Sequence, residues 1–328
     1  FYTVQALDVS IPKGRMIAVT GVSGSGKTSL AIECLVPALQ AVIQGTKLPE
    51  HVDSIEAKGI QSVKVIDSKP IGANVRSTVA TYDGVFDDLR KLFARTADAK
   101  AKGLTAGDFS YNTGKLRCPV CDGTGIITMD VQFLPDVDTI CPSCGGSRYG
   151  KDAYDILWKS KEKDSVSVSL PGLLKLTVEE AAGILHEETK IAKQLKILQD
   201  LGVCYLMLGE ATPALSGGEA QRLKLAYEME TPQQGSVFVF DEPTIGLHPQ
   251  DVKKLVLIFD HLIQLGATVI VIEHDLELVT NCDYIIDMGP WGGTEGGRVV
   301  VEGTPEAVAA TSESITGRYL KQELAEDK

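Results

Sequence analysis

The sequence predicts an α/β fold in which a phosphate-binding core is interrupted by an inserted domain. Short apolar runs alternate with helical segments near both ends of the chain. A glycine-rich stretch follows the first apolar run, whereas residues 108–150 contain glycine, proline and cysteine without helical periodicity. We therefore expect a first core segment at 1–80, an inserted domain at 81–224 and a second core segment at 225–328.

The composition is that of a folded protein long enough for two domains. The chain has 328 residues, of which 44% are hydrophobic and 23% are charged. The net charge of -12 opposes nonspecific nucleic-acid binding by the whole surface, although a local basic patch remains compatible with it. The sequence has no apolar run of about 18 residues and no visible signal peptide, so no membrane partner is expected. Four of the seven cysteines fall in two C-x-x-C pairs and three are isolated, which is the usage of a disulfide-poor protein of the reducing cytoplasm.

The stretch from Gly21 to Thr28 has the spacing G-x-x-x-x-G-K-T. It follows the apolar run 16–19 and precedes a helical run at 29–35, which is the context of a phosphate-binding loop rather than of a chance glycine-rich turn. Loop N–H groups and the helix N-terminus favour phosphate, Lys27 can reach the outer phosphates, and the Thr28 hydroxyl suits Mg²⁺. The predicted nucleotide-binding residues of this stretch are Gly21, Ser23, Gly24, Ser25, Gly26, Lys27, Thr28 and Ser29.

The other elements of the first core segment follow from periodicity and breakers. Residues 1–20 predict a strand, a turn and a second strand. The helix after the loop is expected to run toward Gly45, with a kink or an end at Pro37. Residues 45–60 are predicted to be irregular, and residues 61–67 alternate like a half-buried strand.

The inserted domain begins with a predicted helix at 81–104 and continues with two C-x-x-C pairs. The pairs are separated by 19 residues and consist of Cys118 with Cys121 and Cys141 with Cys144. A redox dithiol needs only one pair, whereas two such pairs provide the four thiolates of a tetrahedral zinc site. We therefore predict a structural zinc module at about 112–150.

Two capping boxes mark helix starts in the rest of the insertion. Residues 155–170 are predicted to form an exposed loop, and Thr177 with Glu180 begins a helix that is followed by another at 190–201. Ser216 with Glu219 begins a helix through about Met229. The Ser216 hydroxyl and the N–H groups of Gly217 and Gly218 would form a second anion site at that helix start, although an ordinary helix cap is the alternative.

The second core segment places carboxylates at the end of a strand. Residues 236–240 are apolar and are followed by Asp241 and Glu242, where α/β proteins bind ligands. Asp241 suits Mg²⁺, and Glu242 suits polarisation of a water against the γ-phosphate of ATP. An acidic turn without a catalytic role is the weaker alternative beside a phosphate-binding loop.

The remaining core elements are an amphipathic helix at 251–265 and strands at 268–272, 284–287 and 298–301. His274 follows the strand at 268–272. A lone histidine at a strand end is usually structural. Its order after the other motifs favours instead a residue that contacts the γ-phosphate.

Several longer stretches resemble the second ATPase half of the UvrA family, in order and over nearly the whole chain. They are residues 21–28, 80–87, 133–137, 144–149, 215–222, 241–248 and 272–275. The resemblance implies an ABC-type P-loop ATPase core with an inserted helical signature domain that carries the zinc module. It also implies ATP, Mg²⁺ and Zn²⁺ as cofactors and a role in recognising damaged double-stranded DNA during nucleotide excision repair.

The resemblance also implies partners. Signature and phosphate loop meet across an ABC dimer, so Ser216, Gly217 and Gly218 would complete the ATP site of a second copy or of the other ATPase half. Hand-off to UvrB is implied through the first half of the family's chain, which is absent from this sequence.

Three departures from the family pattern bear on function. Ser68 stands where the family usually has the glutamine of the Q-loop, the residue by which that loop contacts Mg²⁺. Ala73 replaces one of two usual arginines and Arg76 keeps the other. The span between the cysteine pairs has no lysine or arginine but contains Asp122, Asp130, Asp136 and Asp138. This span is a poor phosphate binder.

Basic residues flank the acidic span, and we predict that zinc gathers them into one basic edge that contacts DNA. They are Lys115, Arg117, Arg148 and Lys151. If this edge does not bind DNA, a UvrA-like paralogue for self-resistance to DNA-binding drugs becomes the main alternative. The ATPase subunit of a transporter is disfavoured by the zinc knuckles. A binding module in which ATP only clamps a dimer is a further alternative.

Overall fold

The computed structural model describes residues 3–72, 74–129, 137–161, 166–229 and 233–326. The chain divides into a core unit, Phe1–Lys69 with Glu228–Lys328, and an inserted unit, Pro70–Tyr227. The boundaries thus differ from the predicted 80/81 and 224/225. Residues just before position 81 belong to the inserted unit because their backbone pairs within it: Val79 donates to Glu210 at 3.0 Å and Ala80 to Leu208 at 2.9 Å.

The core unit contains a six-stranded mixed sheet. Its strands are β1 (Met16–Gly21), β2 (Ser62–Ile66), β7 (Ser236–Asp241), β8 (Thr268–Ile272), β9 (Tyr284–Gly289) and β10 (Arg298–Gly303). The order across the sheet is β10-β9-β1-β8-β7-β2. The ladder from β9 to β2 is parallel, and β10 joins β9 antiparallel. The carboxyl ends of β1, β7, β8 and β9 therefore share one edge, where α/β proteins bind ligands.

The centre of the sheet is buried because β1, β7 and β8 are continuous apolar runs. This pattern is typical of parallel strands covered on both faces. The predicted strand before position 16 is wrong, because residues 3–15 contain no strand. Its alternating residues Leu7, Val9 and Ile11 pack against the buried cluster of the sheet, so side-chain packing alone accounts for their spacing.

The helix after the glycine-rich loop continues past Pro37. Ser29–Leu35 has π-helical hydrogen bonding, Val36–Gln44 forms α1, and Gly45 ends it with φ 66°. Proline lacks the N–H that would bond to the carbonyl four residues earlier. That carbonyl, of Glu33, lies 3.0 Å from His51 Nε2. In place of the expected kink or end at Pro37, the helix has a widened π-helical turn, and the His51 side chain contacts the Glu33 carbonyl.

The described part of the core unit contains further helices, of which only the amphipathic one was predicted from the sequence. They are α9 (Pro249–Gln264), α10 (Leu276–Thr280), α11 (Pro305–Ala310) and α12 (Ile315–Glu326). The amphipathic helix predicted at 251–265 is α9, which buries Val252, Leu255, Val256, Phe259 and Leu262. These residues recur at helical spacing on one face, so α9 covers the sheet with its apolar side.

The inserted unit contains short helices rather than one helix at 81–104. They are α2 (Val79–Tyr82), α3 (Val85–Ala94), α4 (Ala97–Ala101), α5 (Leu170–Leu173), α6 (Val178–Ile184), α7 (Thr189–Asp200) and α8 (Gly217–Met229). Gly84 takes φ 83° between α2 and α3, and the Thr96 side chain accepts the Ala99 N–H at the start of α4. These two breaks divide the predicted helix.

Two small hairpins complete the inserted unit. β3 (Ile126–Met129) pairs with β4 (Val137–Ile140), between the cysteine pairs. β5 (Leu157–Lys159) pairs with β6 (Ser167–Ser169), so the predicted exposed loop at 155–170 contains a hairpin. Short 3₁₀ segments occur at Ala106–Phe109, Lys151–Asp155 and Thr212–Ala214, and another in the core unit at Gly293–Glu295.

Candidate functional site

The glycine-rich loop leaves the carboxyl end of β1 with three glycines in backbone conformations that side chains rarely adopt. Gly21, Gly24 and Gly26 have φ of 130°, 75° and 100°. A Cβ atom at Gly21 would lie 2.1 Å from the Met288 carbonyl oxygen, so the strand β9 beside it excludes any side chain. The loop is thus shaped by close backbone approach, as a phosphate cradle requires.

Lys27 folds over the loop. Its ammonium donates hydrogen bonds to the carbonyl oxygens of Gly21 at 2.8 Å and Val22 at 3.0 Å. Burial lowers the pKa of Lys27, and the carboxylates of Glu242, Asp287 and Asp241 oppose that shift. The loop therefore holds a partly desolvated cation close to the acidic end of β7, where it can interact strongly with an anion.

The predicted loop ligands differ in accessibility. Ser23, Gly24 and Thr28 are exposed, so the Thr28 hydroxyl is available to a cation. Ser25 is fully buried, and its hydroxyl has no hydrogen-bond partner within the described residues. The Ser25 side chain therefore lies beneath the loop rather than at its surface.

A second glycine-rich segment, after β9, supports the phosphate loop from behind. Gly293 donates its N–H to the Gly24 carbonyl at 3.1 Å, and Gly297 donates to the Ser25 carbonyl at 3.0 Å. A Cβ at Gly292 would lie 2.6 Å from the Ser23 carbonyl oxygen. The sequence analysis missed this support, although the run of glycines between 289 and 297 was a visible signal of close backbone approach.

Asp241 is the last residue of β7 and Glu242 follows it, at the same edge of the sheet. Burial raises the pKa of Asp241, and the carboxylates of Glu242 and Asp67 raise it further. A group of carboxylates that disfavour each other's charge is suited to a divalent cation, so the donor set fits Mg²⁺. Glu242 has φ 48°, in the left-handed region, and its N–H donates to the Ile272 carbonyl at 2.9 Å. Strain of this kind is common at functional positions.

Glu273 directly follows β8 and contacts the loop after β7. It was not predicted to have a role. Its side chain is fully buried, and its carboxylate accepts N–H groups from Thr244, His274 and Asp275. His274 itself is exposed, with its ring Nδ1 3.7 Å from the Glu273 carboxylate. His274, the predicted γ-phosphate contact, therefore lies on a loop whose backbone is hydrogen-bonded to the buried Glu273 side chain.

Asp287, on β9, is a second buried carboxylate that the sequence analysis did not single out. It accepts hydroxyl hydrogen bonds from Thr20 at 2.8 Å, Ser314 at 2.7 Å and Thr316 at 2.7 Å. Thr20 lies opposite Asp287 in the β1–β9 register, directly before the phosphate loop. Because this pairing depends on register, no local sequence pattern predicts it.

The start of α8 confirms the predicted capping box. The Ser216 hydroxyl accepts the Glu219 N–H at 3.4 Å, and the Glu219 carboxylate accepts the Ser216 N–H at 2.7 Å. Tyr205 donates its hydroxyl to the same carboxylate at 2.8 Å. Ser216 and Gly217 are exposed and Gly218 is half-buried, so this helix start can be reached by a ligand.

The four predicted zinc ligands lie together. All four cysteine Sγ atoms are within 4.8 Å of one another, with Cys118–Cys141 at 4.0 Å and Cys121–Cys144 at 3.7 Å. Zinc–sulfur bonds of about 2.3 Å in a tetrahedron place sulfurs about 3.8 Å apart. The Gly125 N–H donates to Cys121 Sγ at 3.3 Å, as a thiolate favours. The site therefore fits zinc bound by four thiolates.

The prediction of one exposed basic edge is wrong for Arg148. This side chain is only 6% exposed, and its guanidinium carbon lies 5.1 Å from the Tyr111 ring centroid. Lys115 pairs with Asp108 at 3.3 Å and Arg117 with Asp122 at 2.8 Å, whereas Lys151 is exposed. Burial withdraws one cation from the surface and neighbouring carboxylates neutralise two others.

The departures from the family pattern have different outcomes. Ser68 is exposed, two residues past the end of β2 and directly after Asp67. Arg76 pairs with Asp122 at 3.3 Å and donates to its carbonyl at 2.8 Å, so part of the acidic span is neutralised within the inserted unit. The described residues do not include Ala73, Asp130, Asp136 and the stretch 133–136, on which the sequence analysis also relied. No helix in the described part of the chain is long and apolar enough to cross a membrane.

Comparison with known proteins gives long matches at high identity. The chain is 44% identical over 328 residues to UvrABC system protein A of Staphylococcus aureus (strain COL), covering 99% of this chain and 34% of that protein. The same protein of Clostridium acetobutylicum is 45% identical over 323 residues, with 97% and 33% covered. No protein-family model matches the chain.

A solved structure agrees with these matches. The crystal structure of UvrA2 from Deinococcus radiodurans superposes with a TM-score of 0.86 at 41% sequence identity. The match covers 99% of this chain and 38% of that one. The chain thus spans about a third of the length of the curated relatives it matches.

Proposed function

The chain belongs to the UvrA family, and we propose that it is the ATP-binding and ATP-hydrolysing half of a protein that recognises damaged DNA in nucleotide excision repair. The observation that supports the ATPase activity most strongly is the shared edge of the sheet. Lys27 lies at that edge within the field of Glu242 and Asp241. A cation at a phosphate loop beside two carboxylates is the constellation needed to bind and hydrolyse a nucleoside triphosphate.

In this proposal the N–H groups of the loop and Lys27 bind the ATP phosphates, and Thr28 and Asp241 hold Mg²⁺. The metal ion would neutralise charge on the phosphate oxygens. Glu242 accepts a hydrogen bond from the attacking water and orients it, and His274 donates to the γ-phosphate. Both residues stand at neighbouring strand ends, which permits them to act on one phosphoryl group.

Ser216, Gly217 and Gly218 would bind the ATP held by a second ATPase unit. Their hydroxyl and N–H groups lie at the accessible start of the 13-residue helix α8, which favours an anion. We propose that the second unit is either another copy of this chain or the other ATPase half. The ATP sites would then depend on dimer formation.

The four cysteines would hold a structural zinc ion, since all four tetrahedral positions are filled by protein. Zinc would contribute folding energy to the module and no chemistry to ATP hydrolysis. The local chain is already fitted closely around the cluster: a Cβ at Gly123 would lie 1.7 Å from the Tyr111 carbonyl oxygen. The module therefore packs through backbone contacts onto its neighbours in the inserted unit.

The proposals of DNA binding and of partner contacts are based on membership of the family. The relatives are named as protein A of a UvrABC system, and from this we propose binding of damaged double-stranded DNA, hand-off to UvrB and action in the cytoplasm. Lys115, Arg117 and Lys151 remain the proposed phosphate contacts, and Lys151 is exposed without a paired carboxylate among the described residues. The identity over the whole chain does not favour the transporter or self-resistance alternatives.

The proposal is tested by measuring ATP binding and ATP turnover of the chain and of a Glu242→Gln variant, with and without damaged DNA. We expect the parent to hydrolyse ATP and the variant to bind it without turnover. A parent chain that binds ATP but never hydrolyses it, alone or paired with a first ATPase half, would instead support a clamp that uses only binding.

A further inference from the structure

Glu273 is a buried carboxylate placed between two loops of the proposed ATP site. It follows β8 directly and is 0% exposed. No lysine or arginine in the described part of the chain is paired with it. A buried carboxylate is costly unless hydrogen bonds satisfy it. The contacts that offset this cost therefore indicate what the residue does.

The carboxylate accepts four hydrogen bonds, two on each oxygen. Oε1 accepts the Thr244 N–H at 2.9 Å and, at a very short distance, the Thr244 hydroxyl. Oε2 accepts the N–H groups of His274 at 2.7 Å and Asp275 at 3.1 Å. One side chain thus fixes the loop after β7 with one oxygen and the loop after β8 with the other.

Both loops carry residues of the proposed reaction. Thr244 stands two residues after Glu242, whose left-handed backbone, with φ 48°, must be held by its surroundings. Glu242 is anchored on its own side by the bond from its N–H to the Ile272 carbonyl, one residue before Glu273. The segment 272–273 therefore holds the backbone of the Glu242 turn on both sides of Pro243.

We propose that Glu273 is a positioning residue for ATP hydrolysis. By binding Thr244 and the N–H of His274 with one rigid carboxylate, it keeps Glu242 and His274 aligned on the same γ-phosphate. Glu273 does not touch the nucleotide or exchange a proton in the reaction. This inference rests on the proposed ATPase function.

The test is Glu273→Gln, which keeps the size of the side chain. Each carboxylate oxygen faces two donors, so the amide NH₂ must face donors whichever way it is placed. A small displacement of catalytic groups costs on the order of 100-fold in rate, so we expect kcat to fall by about that factor. The apparent ATP affinity should change by less than about threefold, because phosphate binding rests on the glycine-rich loop.

Asp283→Asn is the matched control. Asp283 also accepts a backbone hydrogen bond, from Met16 at 2.8 Å, but lies at the amino end of β1, away from the loops. Its kcat should stay at the parent value. The free energy of unfolding in urea is measured for the parent, Glu273→Gln and Asp283→Asn. It distinguishes a loss of stability from a misplacement of Glu242 and His274. If Glu273→Gln keeps the parent kcat, or if kcat and ATP affinity fall together in step with unfolding, the positioning role is wrong.

A second pair of variants keeps the inference testable if Glu273→Gln does not fold. Thr244→Ser keeps the hydroxyl donor and should hydrolyse ATP at nearly the parent rate. Thr244→Val lacks it and should lose about tenfold in kcat. Equal rates for both would contradict the proposal. Absence of turnover in the parent, with ATP bound, would contradict the proposed function, whereas turnover in the parent and none in Glu242→Gln would leave only the role of Glu273 in question.

Discussion

At the scale of single residues, the candidate ATP site depends on groups that are either buried or in left-handed backbone conformations. Glu242 has φ 48°, Lys27 is partly desolvated, and Glu273 and Asp287 are buried carboxylates with several donors each. Such arrangements are costly for folding and hold the groups of the site in fixed positions. Single substitutions at these positions should therefore affect binding and turnover in separable ways.

Gly21→Ala should disturb the phosphate loop strongly. The added Cβ would lie 2.1 Å from the Met288 carbonyl oxygen, at φ 130°. Overpacking of this kind costs about 1–3 kcal/mol, and the loop can relieve it only by moving. We expect ATP affinity to fall by about tenfold or more, measured by nucleotide titration.

Gly14→Ala is the control for backbone strain without a clash. Gly14 has φ 64°, but a Cβ there would meet no atom within 4 Å. The left-handed conformation costs roughly 1–2 kcal/mol in stability, while ATP affinity should be unchanged. If Gly21→Ala binds ATP as tightly as the parent, the contact between Gly21 and β9 does not determine ATP binding and the prediction is wrong.

Arg148 should act as a packing residue rather than a DNA contact. It is buried over the Tyr111 ring, and a desolvated cation–π contact is worth about 2 kcal/mol. Arg148→Met should therefore lower the free energy of unfolding by about 1–3 kcal/mol, measured by urea denaturation. The salt dependence of DNA binding should stay that of the parent.

Lys151→Ala provides the comparison at an exposed cation. Its stability should change by less than about 0.5 kcal/mol. If Lys151 contacts a phosphate, the slope of log affinity against log salt should decrease by about one unit. If Arg148→Met keeps the stability of the parent and reduces the salt slope, Arg148 contacts DNA and the packing role is wrong.

At the scale of elements, the sequence predicted the strands that are buried on both faces and missed the breaks in helices. Continuous apolar runs at β1, β7 and β8 leave few alternatives to a central parallel strand. The helix predicted at 81–104 is divided at Gly84 and Thr96, because a left-handed glycine and a side-chain cap override a continuous apolar pattern.

The site divides in the same way. The loop, Asp241, Glu242, His274 and the four cysteines were predictable because each motif lies within a short stretch of sequence. Glu273 and Asp287 were not, because each also has a partner far along the chain: Thr244 is 29 residues from Glu273, and Thr20 is 267 residues from Asp287. Such contacts follow from register and burial, which local patterns do not determine.

The zinc module is the element whose stability should depend on a metal. Purified chain should contain one zinc ion. Removal of zinc by a chelator should make the module at 112–150 susceptible to limited proteolysis. ATP binding by the core unit should be retained, because the core has its own apolar cluster. Zinc analysis and proteolysis measure the two effects.

Cys118→Ser and Cys204→Ser form a matched pair within the inserted unit. Cys118 belongs to the four-sulfur cluster, whereas Cys204 lies outside it. Cys118→Ser should lose zinc and protection from protease, and Cys204→Ser should keep both. Retention of one zinc per chain by Cys118→Ser would contradict a site of four thiolates.

At the scale of the whole molecule, the chain consists of a core unit with the proposed ATP site and an inserted unit with the cysteine cluster, and it matches about a third of each curated relative. The net charge of -12 and the paired cations near the cysteines leave little unneutralised positive charge for DNA. DNA affinity of this chain alone is therefore expected to be weak and sensitive to salt, and to rise when a second ATPase unit adds its own contacts.

We propose above all that the edge formed by the phosphate loop and the end of β7 hydrolyses ATP. The most direct measurement compares parent and Glu242→Gln by nucleotide titration and by phosphate release from the same preparations. The glutamine keeps the shape of Glu242 and removes its charge, so ATP should bind with nearly the parent affinity while turnover falls by about 100-fold or more. Phosphate release by Glu242→Gln at the parent rate would contradict the account.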